Sequence, residues 1–233
     1  MIRKHIPNAI TSLNLASGCI ATVFALEGDY QIAAWLIALA AVFDFFDGFA
    51  ARLLKAYSPL GKELDSLADV VSFGVAPGMM IYSFILDLSL ATNSSEYLAY
   101  FAFLIPVFSA LRLAKFNIDE RQTSSFIGLP TPASAIFWAF GIAGSFDYIL
   151  NAPFDPLLIV AVTIFFSWLM VSNIPMFSLK FKHYKWIGNR LRFYFLAGCV
   201  ALLIILGFNG LSACILWYIC LSLGVFFSQK RRA

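Results

Sequence analysis

The sequence predicts an all-α, polytopic membrane bundle of about eight transmembrane helices, and three observations carry that expectation. First, 61% of the 233 residues are hydrophobic and only 12% are charged, with a mean hydropathy of +0.83. A soluble domain is nearer half apolar and a quarter charged. Second, apolar runs of about twenty residues, enough to cross a hydrocarbon core, recur along the whole chain. Third, all 16 lysines and arginines fall at the N-terminus, in alternate loops or at the C-terminus, whereas the other loops hold only Glu27, Asp29, Asp87, Glu96, Asp147 and Asp155. That segregation places both termini and the basic loops in the cytoplasm.

The elements follow in order. Pro7-Asn8 opens the first span, 8–26, as a helix start with Asn8 and Thr11 one turn apart at its entrance. Glu27-Gly28-Asp29 breaks it from the second, 31–54, which ends on Arg52 and Lys55. The third span, 66–88, and the fourth, 97–116, are parted by Thr92-Asn93-Ser94-Ser95. The fourth ends on Arg112, Lys115 and Asn117, and Gln122 and a Phe126–Pro132 loop follow. Spans at 130–147 and 156–177 flank Asn151-Ala152-Pro153, and a final pair, 191–208 and 210–228, hinges at Asn209-Gly210. No repeat or linker divides the chain, so a single integral-membrane domain over 1–233 is expected. No A-x-A-like site follows Met1, so no cleaved leader is expected. The four cysteines all lie in apolar stretches without C-x-x-C pairing and read as small hydrophobes. A net charge of +3 gives no reason to expect a nucleic-acid partner. The basic run from Lys180 to Arg192, with Tyr184 and Trp186, suits anionic lipid headgroups.

Against this apolar background stand Asp44, Asp47, Asp65 and Asp69, at the end of the second span and the start of the third. Four charges facing lipid would cost on the order of 10–14 kcal/mol, as much as a whole protein's net stability. They must therefore line a wet cavity or share a cation. Asp44 and Asp47 are three residues apart and Asp65 and Asp69 four apart, so each pair projects from one helical face. Carboxylates with no Cys or His among them suit Mg²⁺, Mn²⁺ or Ca²⁺ and not zinc. Gly48 and Ala51 leave room beside the acids for a ligand or for close helix packing, and Arg52 would suit a phosphate oxygen. Metal, arginine and open backbone together are equipment for handling a pyrophosphate.

The pattern Asp44-x-x-Asp47-Gly48-x-x-Ala51-Arg52, eight residues, then Gly61-x-x-x-Asp65-x-x-x-Asp69, resembles the signature of the CDP-alcohol phosphotransferases at every defined position. The resemblance implies a six-helix core with a cytoplasm-facing site, usually in a homodimer, that moves a phosphoryl-linked group from a CDP-linked donor to an alcohol. It also implies that Asp44, Asp47 and Asp65 are metal ligands, and that Asp69 completes the cluster and acts as general base. Gly48, Ala51 and Arg52 would lie against the cytidine and phosphates, Gly61 would shape the nucleotide pocket, and Asn8, with Thr11 beside it, would stand near the nucleotide.

Further stretches, "IPNAITSLNLASG", "LDSLADVVSFGVAP", "LRLAKFN" and "FIGLPTPASA", are similar to the integral-membrane branch that uses CDP-diacylglycerol and L-serine and releases CMP. That branch implies a catalytic core over 1–178 and two added helices over 179–233. Serine is a zwitterion and needs a cation or amide donors for its carboxylate. Arg112, Lys115, Asn117, Gln122, Phe126, Gly128 and Pro130 are the candidates, the loop being stiffened by its prolines. The same cations would also serve as positive-inside anchors. Other acceptors, glycerol 3-phosphate or inositol phosphate, would call for more clustered arginine than Arg112 and Lys115 supply. A cation-coupled transporter would need acids near the midplane and repeated halves, and neither is visible. The bacterial-type inner membrane, with the active site inside, is the expected location.

Overall fold

The computed structural model describes residues 5–118, 126–151, 154–177, 186 and 189–230. They form eight helical rods, as the apolar runs predict. Helix α1 spans Ile6–Leu26 and α2 spans Tyr30–Leu53. The third rod is compound: α3 (Pro59–Val70) runs through a π-helical turn (Val71–Val75) into α4 (Ala76–Thr92). The fourth starts as a 3₁₀ stretch, Glu96–Phe103, and continues as α5, Leu104–Ile118. Then come β1 (Phe126–Ile127), α6 (Thr131–Leu150), α7 (Pro156–Val171), β2 (Pro175–Met176), α8 (Arg190–Leu206) and α9 (Gly210–Lys230). Five stretches, Ile6–Leu26, Tyr30–Leu53, Pro59–Thr92, Glu96–Ile118 and Arg190–Ser228, are long and apolar enough to cross a membrane. The chain is an integral membrane protein.

Local chemistry sets the helix starts. Asp29, Ser58 and Asp155 each accept an N–H from the first turn of α2, α3 and α7, and Pro59 and Pro156 follow their caps directly. The third rod begins at Pro59, seven residues before the 66 that hydropathy alone suggests, because Ser58-Pro59 starts a helix whose first turns are polar. The sixth helix ends at Val171 instead of reaching 177. Pro175 cannot donate a helical bond and biases Ile174 toward extended backbone. Phe126 and Ile127 accordingly pair antiparallel with Met176 and Pro175, the one small sheet among the described residues.

The core lies where α1, α2, α4 and α6 meet, around Ile37, Phe73, Met80, Phe84 and Phe140, all under 2% exposed. The π-turn matters to this packing. Pro77 cannot donate to the carbonyl of residue 73, and the extra residue is absorbed as a widened turn. Ser72, on that turn, donates to the Asn14 carbonyl oxygen at 3.0 Å. Gly18 lets the two backbones approach, since a Cβ there would sit 2.6 Å from Ser72 Cα. Gly18→Leu is expected to cost about 1–3 kcal/mol of overpacking and to lower the melting temperature by about 2–12 °C, which a thermal-unfolding scan in detergent checks.

Helices α8 and α9 fold back on one another at Gly207, whose φ of +53° turns the chain. Gly198 faces Trp217, and the Cys214 thiol donates to the Cys199 carbonyl oxygen. The hairpin docks on α6 through α9. Asn209 Nδ2 donates to the Gly144 carbonyl oxygen at 3.1 Å, and Ser212 fills the space left by Gly141. All four cysteines are free thiols in helices.

Candidate active site

The last turns of α2 and the length of α3 both pack against α1, which brings the acids together. Asp44, Asp47 and Asp65 each place one carboxylate oxygen within 4.8 Å of the other two. Asp47 is 5% exposed and accepts a 2.7 Å hydrogen bond from the Thr11 hydroxyl. Asp69 is 7% exposed and accepts from Asn14 Nδ2 at 3.2 Å through its Oδ1. Asp65 Oδ1 is buried without a hydrogen-bond partner. Three carboxylates this close repel strongly, and no lysine or arginine pairs with them among the described contacts. The donor set is all oxygen, so these residues fit a divalent metal ion.

A cavity of about 530 Å³ opens beside the cluster. Asn8, Thr11, Asp47, Gly48, Ala51, Gly61 and Asp65, all expected near the nucleotide or metal, line it. Pro7, Ala56, Tyr57, Ser58, Pro59 and Lys62 complete the wall. A Cβ on Gly48 would meet nothing within 4 Å, so that position faces open space. A Cβ on Gly61 would come within 3.0 Å of Asn8 Oδ1, so this glycine lets α1 and α3 close the pocket's edge. Lys62 brings a cation to a wall that otherwise holds acids. Arg52 is exposed, donates through Nε to the Gly48 carbonyl oxygen at 3.0 Å, and lies outside the lining.

The residues expected to bind an acceptor separate. Arg112 is 7% exposed, donates to Thr131 Oγ1 at 3.3 Å, stacks over Phe116 at 5.7 Å, and keeps Nε unpartnered. It lies within electrostatic range of Asp69. Asn117 bridges to α3, donating to Ser66 Oγ at 2.8 Å and accepting Lys62 Nζ through its carbonyl at 3.1 Å. Lys115 goes elsewhere. Its Nζ donates to the Val171 carbonyl oxygen and to Asn173 Oδ1, at the C-terminal end of α7, where a cation is favoured. Gly128, with φ +77°, presses against the Met170 carbonyl, and its N–H donates to the Ile174 carbonyl oxygen at 2.9 Å. Pro130 is half-buried at the head of α6. Phe126 contributes its backbone to the strand pair. Gln122 and the basic run through 180–185 lie outside the described residues.

Sequence reasoning missed Asn14, Ser58, Lys62 and Thr131. Asn14 had a readable signal, because Asn8, Thr11 and Asn14 recur at three-residue spacing along one face of α1.

The fold and site define a membrane-embedded enzyme whose acids cluster at a pocket between its first three rods. The family model for CDP-alcohol phosphatidyltransferases matches residues 4–174. The chain belongs to that family. It is 37% identical over 183 residues to a CDP-diacylglycerol–serine O-phosphatidyltransferase of Bacillus subtilis (strain 168), covering 78% of this chain and 92% of the relative. It is 32% identical over 182 residues to the protein of the same name from Helicobacter pylori (strain ATCC 700392 / 26695), covering 77% and 74%. An archaetidylserine synthase of Methanothermobacter thermautotrophicus is 34% identical over 173 residues, covering 72% and 68%.

Proposed function

We propose that the chain is a phosphatidylserine synthase, transferring the phosphatidyl group of CDP-diacylglycerol to the hydroxyl of L-serine with release of CMP. The observation that carries the reading is the convergence of three carboxylate oxygens within 4.8 Å at the wall of a pocket that Gly48 leaves open. The relatives support the acceptor: the names of all three contain serine, although the lipid part of the names differs.

In this reading Asp44, Asp47 and Asp65, completed by Asp69, hold Mg²⁺ or Mn²⁺. When bound, the ion neutralises pyrophosphate charge and stabilises CMP as it leaves. The chain's own residues do the rest. Asn8, Thr11, Gly48, Ala51 and Gly61 shape the nucleotide pocket, and Lys62 and Arg52 offer cations at its rim. Arg112, with Nε unpartnered, binds the serine carboxylate. Asn14 holds Asp69 Oδ1 by hydrogen bond, fixing the carboxylate so that Oδ2 can take the serine hydroxyl proton. As that proton leaves, the serine oxygen bonds to the lipid-side phosphorus and the bridge to CMP breaks. The catalytic part is 1–178, with 179–233 as an addition. The enzyme works as a homodimer in the cytoplasmic membrane, with both termini and the site inside.

The test is CMP release by purified protein given CDP-diacylglycerol with labelled L-serine or with glycerol 3-phosphate, each with and without chelator. Label is expected in lipid from serine alone and only without chelator. Incorporation of glycerol 3-phosphate instead would overturn the acceptor.

A further inference from the structure

The chain after residue 174 lies beyond the family match, yet it reaches back to the acceptor end of the site. Tyr218, on α9, is 7% exposed, and its hydroxyl donates to the Phe177 carbonyl oxygen at 3.0 Å. Its ring packs on Phe177 and Phe195, with centroids 4.8 and 5.9 Å away. Phe177 follows β2 directly, and β2 pairs with β1. Two residues a side make too short a ladder to stand alone, so its ends need fixing. Gly128 and Leu129 fix one end through N–H bonds to the Ile174 and Leu169 carbonyl oxygens. Tyr218 fixes the other.

What the strand pair carries is Thr131. Two residues past Leu129, its hydroxyl accepts a hydrogen bond from the Arg112 guanidinium. Tyr218 also lies within electrostatic range of Arg112. A long side chain such as Arg112 has many rotamers to lose and is held only if its partner is held.

We infer that Tyr218 is a positioning residue for the acceptor: its hydroxyl fixes β2, β2 fixes the loop through Thr131, and Thr131 fixes the guanidinium that receives the serine carboxylate. The C-terminal hairpin thereby takes part in acceptor recognition. The inference rests on the reading that Arg112 binds the acceptor. The contrasting role is plain anchorage of the hairpin, which would loosen the whole protein and single out no substrate.

The experiment compares full-length wild type, Tyr218→Phe, Thr131→Val and the double variant in detergent micelles, measuring KM for L-serine, KM for CDP-diacylglycerol, kcat and melting temperature. Tyr218→Phe keeps the ring packing and removes only the hydroxyl. It is expected to raise the serine KM about three- to tenfold and to leave the donor KM and kcat within about twofold. Thr131→Val is expected to act alike, and the double variant to exceed neither single one appreciably, because both changes cut one path. An unchanged serine KM, equal rises in both KM values with a fallen melting temperature, or additive single effects would each overturn the inference. Absence of serine-dependent CMP release from the wild type would instead sink the serine reading, and the same comparison would then be scored on the KM of the acceptor that the wild type uses.

Discussion

Asp69→Asn is expected to lower CMP release by about 10²–10⁴-fold, the range that a positioned proton acceptor contributes. The substitution preserves shape. The new amide oxygen would still accept from Asn14, as Asp69 does through Oδ1, so the helix contact survives. What disappears is a carboxylate able to take a proton while remaining hydrogen-bonded. Asp69 is nearly as secluded as Asp47, and Arg112 lies in electrostatic range of it. In the proposed reading Asp69 takes the proton that the serine hydroxyl gives up. Steady-state CMP release and titration with CDP check the expectation together: turnover falls while nucleotide affinity stays within about threefold. Undiminished turnover would strip Asp69 of the base role. Equal loss of nucleotide binding would leave Asp69 a part in the ligand set alone.

The parts of this architecture that were legible in the sequence are those whose cost is local. An apolar run of twenty residues has few alternatives to a spanning helix, and acids inside such runs demand an explanation, so Asp44, Asp47, Asp65 and Asp69 announced themselves. Loops that must sort cations from anions across a bilayer gave the count of rods, and the eight rods agree with it. The helix that begins at Pro59 escaped because hydropathy discounts Lys62 and Glu63, although Ser58-Pro59 carried an ordinary start signal. Asn14 escaped because a single asparagine in an apolar helix gains meaning only when its spacing from Thr11 is counted. Other features had no local trace. The pairing of β1 with β2 and the reach of Lys115 to the end of α7 are contacts between segments distant in sequence. A lysine at the end of α5 reads equally well as an acceptor ligand or a lipid anchor, and its partners decide which backbone it serves.

Asp44→Asn separates what the acid cluster does for binding from what it does to the fold. Two unit charges about 4 Å apart interact by roughly 1 kcal/mol in water and roughly 4 kcal/mol at an effective dielectric near 20. Three carboxylate oxygens here stand within 4.8 Å of one another beside an open cavity that keeps their repulsion toward the lower figure. Removing one charge from that group relieves repulsion in the metal-free protein and weakens the hold on a dication. The two effects have opposite signs. In chelator, Asp44→Asn is expected to melt several degrees above wild type. With Mn²⁺ at about a hundred times the wild-type dissociation constant, wild type gains about 2.7 kcal/mol, and the variant gains little because its own constant is weakened by about 10²-fold or more, a loss of about 2.7 kcal/mol. The order of melting temperatures therefore inverts between chelator and metal. Serine-dependent CMP release follows the metal: at that Mn²⁺ the variant is about half occupied and release falls about twofold, and the loss approaches the full factor of about 10² only at Mn²⁺ below the wild-type dissociation constant. Helices α2 and α3 are braced on α1 through Asp47 and Asp69, which accept from Thr11 and Asn14, and Ser72 adds a bond to the Asn14 carbonyl, so this bracing does not run through Asp44. Sites that carry such repulsion persist because function uses it. A variant that melts lower than wild type in chelator would show instead that Asp44 stabilises the bundle by itself, and the cluster would no longer stand as a cation site.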